Sequence, residues 1–397
     1  MDSAEQADFS FSVQPSLSEH SVSASAWDNL LSDVLVEDLI FESELPLSRL
    51  ESTNVSFLQK VFDTTQDPQI MNLIVQTLIN EYQFVNAKQF IEGLSAQQLT
   101  QLDPLLHLQV LFNSFSLSSP NALDALVALV DDYYGAGSIS LEQKNWYYGV
   151  TLLMRRNYTG FFDLARTYQQ LSHTAVASRL TSLQQQISKQ SDMPLYYFDA
   201  LVGVELFNQG FFQASKVLAL YVLGQDKNYI LPYQLLAYAN FLTASWDASV
   251  EYLYILLSLD AAALARYDFL MGIAYYWNED YERSVLKLSQ VKNVMYSLDV
   301  DRYLVLNYLK LGQVEKLLSA WQRVLGHETL QTSDFFNYFY EVFFLPYSKG
   351  DDYMLYTQNP RLAENYLVHC FQVLQGAEQA VCEYGSIGLS LAKGQLQ

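Results

Sequence analysis

Apolar residues recur at every third or fourth position along most of the chain after Asn54, and this spacing predicts a protein made almost entirely of helices. Short polar turns interrupt the pattern, so that each apolar stripe is followed by a second one. The clearest pair of stripes contains Leu270, Ile273 and Trp277 before a turn, and Val285, Leu288 and Val291 after it. Such a pair is typical of a hairpin of two antiparallel helices.

One helix–turn–helix unit occurs four times between Met193 and Gly326. A compact residue marks the first helix of each unit, and these residues are Gly203, Ala237, Gly272 and Val305. Twelve residues further on, the second helices contain Ser215, Ser249, Ser284 and Leu317. The intervals between units are 34, 35 and 33 residues at both positions. Self-similarity at a fixed period of this size indicates a solenoid, in which stacked neighbours bury the faces that one hairpin leaves open.

The third unit resembles the tetratricopeptide repeat (TPR) family. Its residues Met271, Gly272 and Tyr275 correspond to the family's Leu-Gly-x-x-Tyr core, and Tyr281 matches the aromatic residue after the turn. The resemblance implies an all-α fold, a right-handed α-solenoid of stacked antiparallel helix hairpins. It also implies that the first helix of each hairpin lines a concave face.

The pattern divides the chain into four regions. Residues 1–48 are acidic and are expected to be mostly disordered, apart from a short amphipathic helix. Residues 49–190 are predicted to form degenerate N-terminal hairpins, with an extra helix over the polar residues 180–190. Residues 191–332 hold the four TPR-like repeats, and residues 333–397 are expected to form capping helices that close the stack.

The acidic tail contains one apolar stripe at helical spacing, formed by Trp27, Leu30, Leu31, Val34 and Leu35. Acidic residues flank this stripe, which predicts an amphipathic helix. One interpretation is that the helix packs on the chain's own solenoid as an end cap. The second is a linear motif that enters a groove on a partner, and the third is plain disorder.

The net charge of −21, from 22 basic and 43 acidic residues, disfavours two classes of ligand. Nucleic acid and anionic membrane surfaces both demand a basic footprint, so we expect neither as a partner. The first 48 residues contain no lysine or arginine, which argues against a secretory signal peptide. The longest uncharged run, residues 228–246, reads as a buried repeat helix rather than a membrane span. These observations favour a cytoplasmic protein.

No arrangement of residues predicts catalysis. The five histidines are scattered, and none pairs with cysteines or carboxylates at metal-ligand spacing. Neither a nucleophile elbow nor a phosphate-binding loop is present, and the two cysteines, Cys370 and Cys382, read as reduced core thiols. We therefore expect no enzymatic activity, no metal and no cofactor.

The resemblance implies a binding groove, lined by the residues one, four and five positions after each compact residue. These are Val204, Phe207, Asn208, Tyr238, Phe241, Leu242, Ile273, Tyr276, Trp277, Leu306, Leu309 and Lys310, with Arg266 and Arg302 expected at the rim. We call these fourteen residues the groove set. Because the set is mostly apolar and aromatic, it favours an apolar or aromatic peptide or helix over a terminal carboxylate. Alternatively, some of these side chains are core between repeats, or an internal helix such as Trp27 to Leu39 fills the groove.

Two functions fit the sequence. The first is an adaptor or scaffold that binds a segment of a protein partner. The second is a structural subunit that associates with itself in a larger assembly, through the acidic tail or through the aromatic residues 335–344.

Overall fold

The computed structural model describes residues 53–116, 121–167, 174–188, 194–259, 264–291 and 297–313, together with 316–317, 319–320 and 323. The acidic tail with its apolar stripe, both cysteines and the region predicted to cap the stack lie outside these residues. In the described residues every regular element is a helix. The predicted all-α fold is confirmed there.

Nine helices precede the four repeats in the described chain. They are α1 (Thr53–Thr65), α2 (Pro68–Asn80), α3 (Phe84–Glu92), α4 (Ala96–Leu99), α5 (Pro104–Ser114), α6 (Ala122–Gly135), α7 (Leu141–Met154), α8 (Tyr158–Thr167) and α9 (Thr174–Ser188). Asp67 and Asp103 start two of them, each accepting a 2.8 Å hydrogen bond from the backbone N–H two residues later. These carboxylates satisfy donors that the first turn of a helix leaves open. The extra helix predicted near 180–190 corresponds to α9.

The four repeats follow. They consist of α10 (Tyr196–Asn208) and α11 (Phe212–Gln225) in unit 1, α12 (Ile230–Leu242) and α13 (Trp246–Leu259) in unit 2, α14 (Leu264–Trp277) and α15 (Tyr281–Val291) in unit 3, and α16 (Ser297–Lys310) in unit 4. We call α10, α12, α14 and α16 the first helices, and α11, α13 and α15 the second helices. Each second helix packs on the first helix of its own unit and on that of the next unit. The described chain is thus a TPR-like solenoid of stacked antiparallel hairpins.

One turn geometry joins the two helices of each unit. Its central residue has a left-handed backbone, and these residues are Gly210 (φ 78°), Ala244 (φ 58°), Glu279 (φ 61°) and Gly312 (φ 65°). In each turn the N–H of the next residue donates to the carbonyl five positions earlier, at 2.8–2.9 Å. Tyr82 and Arg156 are the central residues of the same turn between α2 and α3 and between α7 and α8. Two N-terminal hairpins are therefore closed like the repeats, although neither turn contains glycine.

The compact positions meet where the two helices of a hairpin cross. The Ser284 hydroxyl donates to the carbonyl of Gly272 at 2.6 Å, and in unit 2 Ser249 donates to Ala237 at 2.9 Å. A Cβ at Gly272 would lie 2.5 Å from Cγ of Leu288, closer than side chains tolerate. The register predicted from spacing is therefore correct, and the serines add a hydrogen bond that size alone does not suggest.

The N-terminal helices close back onto unit 1 through Asn113, which is 5% exposed at the end of α5. Its side-chain amide donates to the carbonyl of Gly210 at 2.9 Å, and its oxygen accepts from the N–H of Phe212 at 2.9 Å. Beside this bridge, the rings of Phe112 and Phe211 meet edge to face at 6.1 Å. Asn113 thereby fixes the N-terminal hairpins against the turn of unit 1.

A second clasp joins the turn before α8 to α10. The Asp199 carboxylate is fully buried and accepts two hydrogen bonds from Arg156, at 2.9 and 3.2 Å, and one from the hydroxyl of Tyr158. The guanidinium of Arg156 also lies 3.7 Å from the ring centroid of Tyr221. Burial and the hydrogen bond to Asp199 raise the pKa of Tyr158 far above its ordinary value, so its hydroxyl stays a donor.

No helix in the described part of the chain is long and apolar enough to cross a membrane. The uncharged residues 228–246 form α12 and its flanking turns. That run is a repeat helix, as predicted.

Candidate protein-binding surface

The first helices are enclosed on all sides. In α10, α12, α14 and α16 the unbroken runs 198–207, 235–242, 267–276 and 300–308 are buried. An α-helix completes a turn in about 3.6 residues, so runs of this length include every direction around the axis. The first helices are therefore covered on the concave side as well as on the side that faces the second helices.

The structure places the groove set at three levels of exposure. Buried members are Val204, Phe207, Tyr238, Phe241, Leu242, Ile273, Tyr276, Arg302 and Leu306. Half-buried members are Arg266 and Trp277, and exposed members are Asn208 and Lys310. Leu309 lies on α16, but the structure does not describe its side chain. The aromatic members of the set thus contribute mainly to the packing between repeats.

A ladder of aromatic rings connects units 2, 3 and 4. Phe241 meets Trp246 edge to face at 5.3 Å, and Trp246 stacks on Trp277 at 6.2 Å with an interplanar angle of 14°. Tyr276 then meets Trp277 at 5.4 Å and Tyr303 at 5.4 Å. We call these five residues the aromatic ladder. The structure thereby brings together three members of the groove set with two residues that the set does not include.

Trp246 and Tyr303 are the two ladder residues that the groove set misses. Trp246 is the first residue of α13, at the position after the turn that the repeat spacing marks as aromatic. Tyr281 occupies the same position in unit 3, so the sequence indicates an aromatic residue there but does not indicate which residue it contacts. The ladder shows that the neighbour is Trp277 of the next unit.

Phe207 belongs to a different cluster, at the N-terminal end of the solenoid. Its ring meets Phe212 at 5.2 Å, and Phe212 in turn meets Tyr82 at 5.4 Å and Phe84 at 6.0 Å. Tyr82 and Phe84 come from the turn and the start of α3. The start of α11 consequently packs between Phe207 and the chain's own N-terminal hairpin, and Phe207 does not join the other groove residues.

Acidic residues on the first helices are neutralised by basic partners on neighbouring elements. Asp268 of α14 pairs with Lys287 of α15 at 2.7 Å, and Asp301 of α16 pairs with Arg323 at 2.6 Å. Glu205 of α10 accepts two hydrogen bonds from Arg179 of α9. These pairs hold helices together and leave no net negative charge at those sites.

Arg302 does not lie at the rim of the groove, where the sequence places it. The residue is 7% exposed, and its guanidinium pairs with Asp299, one turn earlier on α16, at 3.1 Å. The aliphatic part of a long basic side chain packs readily against apolar neighbours, which explains the burial. Arg266 and Lys310 keep positions where solvent reaches them.

Lys216 is a buried cation that sequence spacing does not reveal. It lies on α11 with 9% exposure, and its ammonium donates to Oδ1 of Asn240 at 3.1 Å and to Oγ1 of Thr243 at 3.4 Å. Both acceptors are neutral, and burial lowers the pKa of Lys216 to about 8. Because these contacts join α11 to the end of α12, the lysine has a structural role between units 1 and 2.

Exposed large apolar side chains occur on the second helices instead. On the second helices the described examples are Leu220 on α11, Tyr254, Ile255 and Leu259 on α13, and Leu286 on α15. Leu286 is the most exposed of them, at 60%. The outer layer therefore presents scattered apolar residues, whereas the inner layer is covered.

Within the residues that the structure describes, no group of three or more histidine, cysteine, aspartate or glutamate side chains could hold a metal ion. Two groups whose pKa values are strongly shifted, Lys216 and Tyr158, are both engaged in contacts between helices.

No family model matches this chain, and no curated protein matches it in sequence. Among solved structures, the crystal structure of the apo form of RapI is similar with a TM-score of 0.32 and 11% identity, covering 83% of this chain and 98% of that chain. The APC/C hetero-tetramer Cut9–Hcn1 is similar with a TM-score of 0.27 and 13% identity, covering 93% and 88%. Both TM-scores are below 0.5, so the TPR-like fold is established here by the repeated turns and by the Gly272–Ser284 crossing.

Proposed function

We propose that this protein is a non-enzymatic, cytoplasmic adaptor or scaffold that holds an apolar or aromatic peptide or helix of a protein partner on the concave side of its repeats. The observation that carries this proposal is the burial of the first helices around their whole circumference, together with the largely apolar composition of α10, α12 and α14. In a two-layer stack a first helix needs apolar residues only where it meets its neighbours. An apolar concave side is a surface that has to be covered, and covering surfaces of this kind is how solenoids bind.

Within this proposal the groove residues have two roles. Trp277, Arg266, Asn208 and Lys310 are accessible and would touch the partner first. The buried rings, such as Tyr276, form the floor and hold Trp277 in place through ring contacts. The floor residues are poor targets for a binding test, because truncating a buried aromatic residue costs about 3–5 kcal/mol of folding free energy.

The test uses the full-length chain, immobilised and panned against a random peptide library displayed on phage. We expect the selected peptides to be rich in aromatic and aliphatic residues, and to bind at least tenfold more weakly to the Trp277→Ala variant. The matched control is Tyr254→Ala, which removes an aromatic ring that is 48% exposed on the outer layer. Selected peptides that lose affinity for Tyr254→Ala but not for Trp277→Ala would refute the concave assignment. Circular dichroism of both variants checks that the helices are retained.

The second candidate function is a self-associating structural subunit, and the exposed apolar residues of the second helices favour it. Leu220, Ile255 and Leu286 lie on three consecutive second helices, where a second copy of the chain could bury them. Sedimentation at increasing protein concentration distinguishes the two functions. A monomer mass that does not change with concentration would exclude self-association, whereas a dimer that Leu286→Asp dissociates would support it.

A further inference from the structure

The turns of the repeats differ in how far they are covered. Residues 209–213 of unit 1, 243–247 of unit 2 and 278–282 of unit 3 are in register, because the repeat intervals are 34 and 35 residues. In unit 1 the two phenylalanines of this segment are buried, whereas the residues at the same positions in units 2 and 3 are half-buried. We call the segments of units 2 and 3 the open turn edge.

Unit 1 shows what a turn of this kind can hold. The C-terminal end of α5 lies against it, where Asn113 bonds to the carbonyl of Gly210 and to the N–H of Phe212. The side-chain amide of Gln213 also donates to the carbonyl of Phe115 at 2.9 Å. The turns of units 2 and 3 are closed by the same backbone hydrogen bond as the turn of unit 1. One repeat turn is therefore a docking surface within the chain, and two more present the same backbone.

The side chains of the open turn edge are acidic. The five residues of unit 1 carry no charge, whereas the ten residues of units 2 and 3 include four acidic residues and no basic one. Asp247 and Glu282, both exposed, take the register position of Gln213. Gln213 donates a hydrogen bond to the segment that docks on it, but a carboxylate can only accept one. The open turn edge therefore favours a ligand that donates hydrogen bonds.

Most of the charge on the open turn edge has no basic partner. Asp280 pairs with Arg283 at 3.3 Å, but Asp247, Glu279 and Glu282 form no ion pair within the residues that the structure describes. The helix dipole favours acidic residues in the first turn of a helix, which accounts for Asp247 and Glu282. It does not account for Glu279, which precedes its helix at a position that glycine occupies in units 1 and 4. Local structure thus explains part of this negative charge and leaves the rest available to a ligand.

Two tryptophans adjoin these acidic residues. Trp246 and Trp277 stack at 6.2 Å, and both are half-buried, so that solvent reaches part of each residue. Nδ2 of Asn278 donates to Oδ1 of Asp247 at 2.5 Å, which holds the turns of units 2 and 3 side by side. Aromatic faces attract the cations of arginine and lysine, and tryptophan does so most strongly. Carboxylates beside tryptophan rings suit a guanidinium or ammonium group.

We propose that the open turn edge binds a basic segment of a protein partner through Asp247, Glu279 and Glu282, next to Trp277. The inference rests on the proposed function, because Trp277 belongs to the concave surface as well, and it adds a positive charge to the apolar character of the partner. The net charge of −21 also attracts a basic segment, over a range of about 8–10 Å in physiological salt. Lys310 takes the register position of Trp277 in unit 4, so the surface ends there.

The test begins with the peptides that the full-length chain selects on phage. We expect arginine and lysine to be enriched about twofold or more over the unselected library. The leading peptide is then synthesised with a fluorescein label and titrated against the full-length chain, with anisotropy as the readout. The triple variant Asp247→Asn, Glu279→Gln, Glu282→Gln should bind it about tenfold more weakly. Raising the salt concentration from about 0.05 M to about 0.3 M should weaken binding by the unmodified chain more than binding by the variant.

The matched control removes three exposed acidic residues from the N-terminal helices. The variant Asp63→Asn, Glu92→Gln, Asp132→Asn has the same net charge as the triple variant, and it should bind the peptide like the unmodified chain. Equal weakening by the two variants would mean that the peptide responds to net charge alone, which would overturn the proposal. Unchanged affinity of the triple variant, or no enrichment of basic residues, would overturn it too. Circular dichroism checks that both variants keep their helices.

A charge exchange tests the contact itself. The double variant Glu279→Lys, Glu282→Lys is titrated with a second peptide, in which the basic residues of the first are replaced by glutamate. It should bind this peptide about tenfold more tightly than the unmodified chain does, because the pair again has opposite charges. Asp132→Lys is the control and should bring no gain. If the double variant brings none either, the basic residues of the peptide meet another surface and the proposal is wrong.

The proposed function and the basic partner can fail separately. Peptides that lose affinity for Trp277→Ala but keep it for the triple variant retain the concave adaptor and overturn the basic partner. Peptides that lose affinity for the triple variant alone retain the basic partner and overturn the concave assignment. A selection that yields no peptide overturns both.

Discussion

The first and second helices of the repeats have similar lengths but different surroundings. Helix α15, a second helix, buries Ser284, Leu288 and Val291, which lie along one side. Helix α14, a first helix, buries ten residues in succession, 267–276. One apolar stripe is sufficient for a helix in an outer layer, whereas an apolar circumference requires cover on every side. The comparison teaches that the repeat spacing specifies which faces of the two helices meet in a hairpin, whereas it does not specify that the first helices are buried around their whole circumference.

The largest expected effect comes from breaking an ion pair on an enclosed first helix. An ion pair on an exposed helix is the comparison. Arg156→Ala leaves the fully buried Asp199 without its counter-charge, and we expect a loss of about 3–5 kcal/mol in the free energy of unfolding. Arg166→Ala is the control, since Arg166 and Asp163 on α8 are 74% and 60% exposed and should contribute less than about 1 kcal/mol. Urea denaturation followed by circular dichroism measures both, and losses of equal size would contradict the comparison.

The second prediction concerns the tight crossing in unit 3. Gly272→Leu places a side chain where even Cβ would lie 2.5 Å from Leu288, so we expect a loss of roughly 1–3 kcal/mol. Gly224→Ala on the second helix α11 is the control, because nothing lies within 4 Å of its added Cβ. Alanine favours the helix, so this control should stabilise the protein by up to about 1 kcal/mol. A Gly272→Leu variant as stable as the parent would mean that the crossing is misassigned.

The third prediction concerns the dependence of stability on pH. Burial lowers the pKa of Lys216 to about 8, below that of an exposed lysine in the unfolded chain. Between these two values the unfolded chain binds more protons, so stability increases as the pH rises from about 8, by at most about 1.4 kcal/mol per pH unit. Lys216→Met should remove this increase between pH 8 and 9.5. If the stability of the variant changed with pH in parallel with that of the unmodified protein, Lys216 would not titrate in this range.

The smallest expected effect concerns the residue at the centre of the turn, whose backbone conformation contributes to stability independently of helix packing. Glu279 adopts φ 61° in the turn between α14 and α15, a conformation that costs a residue with a side chain roughly 1–2 kcal/mol. Glu279→Gly relieves this strain but adds entropy to the unfolded chain, for a net gain of about 0.5–1 kcal/mol. Gly210→Ala, at the same turn in unit 1, should lose a similar amount. Thermal denaturation measures both, and a destabilised Glu279→Gly variant would contradict the prediction.

The sequence predicts the hairpin register well because the constraint is local and repeated. Gly272 and Ser284 recur at fixed spacing in three units as compact residues, and sterics at a helix crossing leave few alternatives. The turns at Tyr82 and Arg156 are harder to predict, since backbone hydrogen bonds close them without glycine. Nothing in the local pattern around those two residues indicates a left-handed conformation.

The candidate site is less predictable than the fold. Spacing selects Phe241, Tyr276 and Trp277 as equivalent positions of the first helices, but it carries no information about how deeply they are buried or which rings they contact. Burial of Arg302 and Lys216 depends on aliphatic packing and on neutral acceptors contributed by other turns and helices. Contacts of this kind join residues that are distant in sequence, so the spacing of residues along the chain does not predict them.

The bridge at Asn113 has a consequence for the order in which the chain folds. Its two backbone partners lie 97 and 99 residues later in the sequence. During synthesis at about 5–20 residues per second, α5 would wait roughly 5–20 s before the turn of unit 1 is made. Until then the amide of Asn113 and the ring of Phe112 lack the surface that buries them. The N-terminal hairpins are thus translated before unit 1 but complete these contacts only once its turn has formed.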